Sequence, residues 1–397
     1  MPKIPITGLT LKELEGVLAA WGEPAYRAKQ IADWVYRKPV QGFAEMTNLS
    51  LALRERLAGE FLFQSLAPVK EVTSRGRNST KVLFRLEDGR TIESVLMFYE
   101  KRRTVCVSSQ VGCAFGCPLC TTGACGFERN LTAAEIIDQV LFFSRRLRAA
   151  ENAVTNVVFM GMGEPLVNFD AVWRAIESLV SPDLLGLGAR RITISTSGIV
   201  PGIKRLAQEK LQVNLAVSLH APNNALRDKL VPPNRMYPIE KLIPACQQYY
   251  EATHRRITFE YVLIKDVNDS PQHAIELGNL LRGINCYVNL IPVNPSDYSD
   301  FRAPPRARVE AFSELLARHH VANTVRLRRG LDIEAGCGQL RARSAEGHRP
   351  AGEKPRSRPK KPRASNPSDA ARKRGESSSA PGSRGHEKRH RRGDGWG

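Results

Sequence analysis

Cys113-Ala114-Phe115-Gly116-Cys117-Pro118-Leu119-Cys120 puts three cysteines on one short loop, separated by three and then by two residues. Thiolate is the usual protein ligand of iron–sulfur clusters. Three thiolates can cap three irons of a cubane and leave the fourth iron open to a substrate. Zinc is the first competitor, but a structural zinc takes four closed ligands, and no histidine lies near this loop to complete a set. A purely structural cluster would want a fourth cysteine, for which Cys125 is the only local candidate. The triad's chemistry favours a [4Fe–4S] cluster with an open site over zinc, with Cys113, Cys117 and Cys120 as the candidate ligands.

The sequence around the triad alternates. Strand-like runs fall at 104–110, 154–161, 191–197, 211–219, 257–264, 287–293 and 324–328. Amphipathic helical patterns lie between several of them, at Ala133–Leu147, Asp170–Leu179, Ile239–Tyr250 and Arg306–His319. Thr132-Ala133-Ala134-Glu135 is a capping box opening the first of these helices. Strands alternating with helices predict an α/β fold with parallel βα units. Periodicity alone does not choose between a partial barrel and a doubly wound sheet. Upstream, Leu11–Leu18, Tyr26–Tyr36 and Leu51–Ala58 carry helical spacing. Lys81–Leu86 and Thr91–Leu96 read as two strands of a hairpin turning at Asp88-Gly89. The expected division is a small helical accessory domain over 1–75, a β-hairpin linker over 76–100, a core over 101–340, and a tail over 341–397.

That tail lacks Leu, Ile, Val, Met, Phe and Tyr and is rich in Pro, Gly, Ser, Arg and Lys, a composition that predicts disorder. It holds 17 Lys/Arg against 6 Asp/Glu, so it supplies +11 of the chain's net +19 and leaves +8 on residues 1–340. A basic body points to a polyanionic partner such as nucleic acid. The eight cysteines lie at 106, 113, 117, 120, 125, 246, 286 and 337. Four of them crowd into residues 106–120, which is metal or redox spacing rather than a disulfide framework. No apolar run approaches the roughly 20 residues of a membrane span. Met1-Pro2-Lys3-Ile4-Pro5 lacks the pattern of a secretory signal. A cytoplasmic protein with no membrane partner is expected.

C-x3-C-x2-C after a strand and before a helix resembles the signature of the radical S-adenosylmethionine (SAM) superfamily. The resemblance implies a partial (β/α)6 barrel with SAM on the open iron. Further strings are similar to those of the RlmN/Cfr family of RNA methyltransferases and together cover most of residues 10–340. They are Tyr26–Tyr36, Cys106-Val-Ser-Ser-Gln-Val-Gly-Cys113, Gly161-Met-Gly-Glu-Pro165, Ser195-Thr-Ser-Gly198, Ser218-Leu-His220, Leu290-Ile-Pro-Val-Asn-Pro295 and Gly336-Cys-Gly-Gln339.

The resemblance implies methylation of carbon 2 of adenine in large-subunit (23S) rRNA and in tRNA. Carbon 2 is electron-poor and cannot attack a sulfonium, so polar methyl transfer is implausible and the cofactor must contribute radical chemistry. By the same resemblance, one SAM methylates Cys337 and a second is cleaved at the cluster to activate that methyl group. The activated carbon adds to adenine, crosslinking RNA to Cys337. Cys106 then attacks the Cys337 sulfur, leaving a transient disulfide, and Glu93 accepts the adenine proton. Gly163, Glu164, Ser195, Ser218, Leu219, His220 and Asn294 are implied SAM contacts. An external electron donor such as flavodoxin is implied as well.

Two other readings stay open at this stage. One is a Cfr-type enzyme acting on carbon 8 of adenine, which shares nearly every motif. The other is an RNA-binding iron–sulfur protein without methyl transfer, against which the presence of both Cys106 and Cys337 counts. Cys125, Cys246 and Cys286 read as small buried hydrophobes. His220 has the plain alternative of bonding a neighbouring loop, and Asn294 that of a turn residue before Pro295.

Overall fold

The computed structural model of the chain describes residues 3–296, 298–326 and 330–340. Two compact units divide the chain, 1–348 and 349–397, and the second lies outside the described residues. The expected tail over 341–397 and the last residues of the expected strand at 324–328 also fall outside them.

Three helices open the chain: α1 (Leu11–Ala20), α2 (Tyr26–Arg37) and α3 (Leu51–Glu60). Thr10 and Glu13 close a capping box on α1, and the Ser50 hydroxyl accepts from Leu53 N–H at the start of α3. Ala28, Ile31, Ala32, Val35 and Tyr36 form the buried stripe of α2, continuous with the main hydrophobic core. Helix Ala133–Arg148 presents buried Asp138, which accepts from Ser65 N–H (2.6 Å) and Ser65 Oγ (2.7 Å). Its Arg145 lies 4.8 Å above the Phe63 ring and donates to Val35 O. Thr132 and Glu135 form the expected capping box on that helix.

Ten strands make one sheet: β1 (Leu66–Thr73), β2 (Ser79–Leu86), β3 (Thr91–Phe98), β4 (Arg103–Cys106), β5 (Asn156–Phe159), β6 (Ile192–Thr196), β7 (Asn214–Ser218), β8 (Ile257–Leu263), β9 (Cys286–Pro292) and β10 (Asn323–Val325). Their order in space is their order in the chain. β1 to β4 pair antiparallel, and every pair from β4 to β10 is parallel, with helices in the six crossovers. A doubly wound sheet would reverse its strand order part-way, at a switch point. This sheet never reverses, which is the ordering of a (β/α) barrel. β1 and β10 remain its two edges, so the barrel is partial.

Three expectations shift in detail. The hairpin is real, but β1 precedes it and β4 continues it, so β1–β3 extend the barrel sheet. Helix ends at Glu60, and the stretch to residue 75 contains β1, an exposed edge strand with a register break at Pro68/Lys70. The strand-like run 104–110 splits. Arg103–Cys106 stays in the sheet, while Gln110–Gly112 pairs with Phe127–Asn130 in a separate two-stranded ribbon. Gly112 makes that ribbon possible: its φ is +75° and a Cβ there would meet Gly126 O at 1.9 Å. With Cys113 N–H donating to Gly126 O (2.7 Å), the ribbon closes the base of the cysteine loop. No helix among the described residues is long and apolar enough to cross a membrane.

Candidate active site

Loops at the C-terminal ends of the parallel strands surround one cavity, with about 1020 Å3 of empty space counting its mouth. Cys113, Cys117 and Cys120 line it, together with Gly163, Glu164, Ser195, Ser218, His220, Asn294 and Cys337. Ten positions distant in sequence thus meet where barrel chemistry is placed. Leu219, Cys106 and Glu93 stand behind the wall, buried, and do not line it.

The cysteine loop is anchored at its far end to the Cys337 loop: Thr121 N–H donates to Gly338 O (2.7 Å) and Thr122 Oγ1 to Leu340 O (2.6 Å). A Cβ at Gly123 would stand 2.9 Å from Cys117 N, so that turn tolerates only glycine without a shift. Burial, and then the neighbouring Cys120, push the Cys117 thiol far up; burial lifts Cys113 to about 11. Thiols at Cys113 and Cys117 that resist ionising suit a cationic iron core, whose charge reverses that penalty.

Around the rest of the cavity, Gly163 has φ +98°, and a Cβ there would meet Gln110 Cβ at 2.5 Å, so close packing on Gln110 requires glycine. The Glu164 carboxylate is fully engaged. Oε2 accepts from Ser197 N–H (2.7 Å) and Ser197 Oγ (2.8 Å), and Oε1 from Leu166 N–H (3.1 Å). It therefore ties the loop after β5 to the loop after β6. Burial raises its carboxyl above the ordinary value. His220 (φ +58°) accepts from Val262 N–H through Nδ1 at 3.1 Å, and burial pulls the ring down to about 3, so it is a neutral bridge between β7 and β8. The loop-bonding role was its plain alternative, and His220 fills it while still facing the cavity. Leu219 N–H is taken by Glu260 O at 3.0 Å. Asn294 donates from Nδ2 to Cys337 O (3.1 Å), whereas its buried Oδ1 has no hydrogen-bond partner. An orphaned acceptor in a cavity wall calls for a donor on the occupant, and SAM carries such donors on its amino groups.

Two further thiols belong to this region. Cys337 is exposed at the cavity rim, and Cys106, at the end of β4, is buried. Burial, then the nearby Cys337, pushes the Cys106 thiol up to about 12. Arg326 reaches Cys337, with Nη1 4.0 Å from its Sγ and 3.7 Å from the buried carboxylate of Glu260. Glu93 on β3 is ion-paired with Lys81 Nζ at 3.0 Å, and the same ammonium donates to Glu334 O (3.1 Å) in the segment leading to Cys337.

Residues 4–62 match the ribosomal RNA large subunit methyltransferase N-terminal domain, and residues 107–278 match the radical SAM superfamily. The chain is 48% identical over 352 residues to a probable dual-specificity RNA methyltransferase RlmN of Moorella thermoacetica, covering 87% of this chain and 99% of that one. A homologue of the same description from Symbiobacterium thermophilum is 46% identical over 345 residues, 87% of this chain and 93% of its own. The crystal structure of a radical SAM methyltransferase from Sphaerobacter thermophilus superposes with a TM-score of 0.84 at 52% identity, over 86% of this chain and all of that one. The chain belongs to the RlmN family. As an RlmN-family member it is a radical SAM methyltransferase, with a [4Fe–4S] cluster and SAM as cofactors.

Within this RlmN-family site, sequence reading missed three charged residues. Arg326 and Glu260 line the cavity, and Arg227 lies fully buried behind Ser197 and Ser218. Glu260 left a signal, a carboxylate inside the apolar strand Ile257–Leu263. Arg227, in Asn224–Leu230, looks like an ordinary exposed helix charge.

Proposed function

We propose that the enzyme methylates carbon 2 of adenine in 23S rRNA and in tRNA, with Cys337 carrying the one-carbon unit to the base. The observation that carries this reading is the position of Cys337. It stands exposed on the rim of the cavity lined by the triad, beside the Arg326 guanidinium, and a second thiol, Cys106, lies buried at the end of β4. A cluster protein that only bound RNA would have no use for that second pair. The relatives' description as dual-specificity RNA methyltransferases supports RNA as the substrate.

In this reading Cys113, Cys117 and Cys120 hold the cluster, and SAM lies among Gly163, Glu164, Ser195, Ser218, Leu219, His220 and Asn294. Leu219, its N–H and C=O held by Glu260 and Arg227, acts by setting its neighbours Ser218 and His220, and Glu164 acts by fixing Ser197. When bound, these cofactors supply the methyl group and the one-electron chemistry that activates it. The Cys337 thiolate takes the methyl group by displacement, assisted by the Arg326 guanidinium beside it. After the activated carbon has bonded to adenine, Cys106 sulfur bonds to Cys337 sulfur as the Cys337 S–C bond breaks. The electron pair of that bond goes to the departing carbon, which takes up a proton to become the methyl group; Glu93 accepts the proton leaving carbon 2, the adduct's unpaired electron returns to the cofactors, and an external reductant restores the two thiols. Lys81 holds Glu93 in place and ties it to the Cys337 segment. An external reductant such as flavodoxin supplies electrons. The helical N-terminal piece holds RNA: Tyr26 is 55% exposed with Arg27 5.1 Å above its ring, and Lys38 and Arg56 cover Trp34 and Trp21.

Cys106→Ala and Cys337→Ala, isolated from cells and run on a denaturing gel with and without nuclease, test the reading. Cys106→Ala stalls as a covalent protein–RNA complex, because no thiol releases the adduct; Cys337→Ala forms none. Normal turnover by Cys106→Ala would refute the two-thiol route. Mass spectrometry of the modified nucleoside assigns the carbon, and 8-methyladenosine would overturn the carbon 2 assignment.

A further inference from the structure

Arg227 has the largest fully buried side chain among the described residues. Its guanidinium is bonded on every side. Nε donates to Leu219 O (3.2 Å), Nη1 to Asn234 Oδ1 (2.7 Å), and Nη2 to Ser197 O (2.6 Å) and Ser218 O (3.2 Å). All four acceptors are neutral. Among the described residues no carboxylate pairs with it directly; Asp228 reaches it only through Asn234, whose Nδ2 donates to Asp228 Oδ1 (2.6 Å). A cation taken out of water without an anion is costly even when its hydrogen bonds are satisfied. Burial accordingly pulls this guanidinium down to about 10. Such a charge calls for an anion close by.

Two sulfurs are candidates. Cys246 is buried in the core, and its thiol, lifted to about 12, stays neutral. Cys117 lines the cavity with Ser197 and Ser218, the residues whose carbonyls Arg227 holds, and it becomes a thiolate when it ligates iron. We propose that Arg227 is the counter-cation of the [4Fe–4S] cluster, fixed behind the Ser197–Ser218 wall, and that it holds the cluster's reduction potential up. An oxidised cubane with three thiolates carries one net negative charge and gains a second on reduction. A fixed buried cation stabilises the second charge more than the first, so reduction becomes easier. The same fork joins the loops after β6 and β7, so Arg227 is a positioning residue as well as a charge.

This inference rests on the proposed assignment of the cluster to the triad, which is checked separately. Cys113→Ala/Cys117→Ala/Cys120→Ala should lose its iron, whereas Arg227 variants should keep theirs. The experiment is an anaerobic redox titration of the reconstituted holoenzyme, followed by electron paramagnetic resonance, in wild type, Arg227→Lys and Arg227→Gln. With equal iron and sulfide per chain, Arg227→Gln should titrate at a more negative potential and Arg227→Lys close to wild type near neutral pH. A buried lysine loses its proton more readily than arginine. The potential of Arg227→Lys should therefore fall toward that of Arg227→Gln as pH rises, while wild type stays flat. Arg227→Gln titrating at the wild-type potential with a full cluster would overturn the proposal. So would equal shifts in both variants at every pH, the mark of a purely structural latch. If Arg227→Gln does not fold, Arg227→Lys decides alone: a pH-dependent fall supports the charge role and a flat profile overturns it.

Discussion

Glu164 offers the sharpest separation between a residue that touches SAM and one that builds the place where SAM sits. Its carboxylate accepts three hydrogen bonds, two from Ser197 and one from Leu166 N–H, in a residue only 4% exposed. Glu164→Gln keeps one acceptor oxygen. With that oxygen turned to Ser197, the amide NH2 faces Leu166 N–H, donor against donor. One orphaned buried N–H costs about 1–3 kcal/mol. Glu164→Ala orphans the N–H groups of both Ser197 and Leu166, for about 2–6 kcal/mol. A unit of this size has an unfolding entropy near 0.7 kcal/mol/K, so each kcal/mol lowers Tm by roughly 1.4 °C. Expected shifts are therefore about 1–4 °C for Gln and about 3–8 °C for Ala, read by anaerobic calorimetry without SAM. Ser197 lines the cavity, so SAM affinity should weaken in both variants in proportion to the stability lost. A Glu164→Gln protein with unchanged Tm and lost SAM binding would refute the reasoning, since the carboxylate would then be spent on the ligand rather than on the loops.

Three other outcomes are open to measurement. Gly163→Ala puts a Cβ 2.5 Å from Gln110 Cβ at a φ of +98°; it should cost about 1–3 kcal/mol of backbone strain alone and weaken SAM binding in equilibrium dialysis. In alkylation followed by mass spectrometry, exposed Cys337 should be labelled well before Cys106. With the Cys106 thiol lifted to about 12, its thiolate fraction, and hence its labelling rate, should rise about tenfold per pH unit between pH 7 and 10 while the fold holds. A pH-independent rate at Cys106 would contradict that. Tyr26→Ala, at a 55% exposed position, should leave stability within about 0.5 kcal/mol. If a base stacks there, RNA affinity should fall by about 1–3 kcal/mol, roughly 5- to 150-fold in a filter-binding assay.

Removing residues 1–75 whole is a poor test of RNA binding, and the reason shows what the sequence could and could not reveal. Helical spacing at Tyr26–Tyr36 was plain, but the same spacing does not say what the apolar face meets. The face is continuous with the barrel's own core, through Val35, Phe63 and the buried Asp138 and Arg145 of the first crossover helix. Deletion would also take β1, which no apolar run announced. Leu66–Thr73 is an edge strand with only Leu66 buried, and its polar residues and Pro68 disguise it. The crossover helices Val200–Leu206, Asn224–Leu230 and Pro271–Leu280 escaped for different reasons. The first two are seven residues each, too short for periodicity to speak. The third carried a usable signal in Ser270-Pro271, an N-cap followed by Pro at the first turn.

The site divides along the same physical line. Thiols on a loop announce themselves by spacing, and the structure brings Cys113, Cys117 and Cys120 to one cavity wall, as a shared-ligand spacing predicts. Residues that act through burial were not legible in this way. The charge of Arg227 has meaning only because four neutral oxygens from two different strand ends and a following turn surround it. Arg326 matters because the sheet sets it between Glu260 and Cys337, 66 and 11 residues away in the chain. Glu164 read as a cofactor contact through the family resemblance of Gly161–Pro165, and its oxygens are taken by Ser197 and Leu166. A motif can say that a residue belongs to a site, but which of its atoms remain available is settled by the neighbours that folding brings.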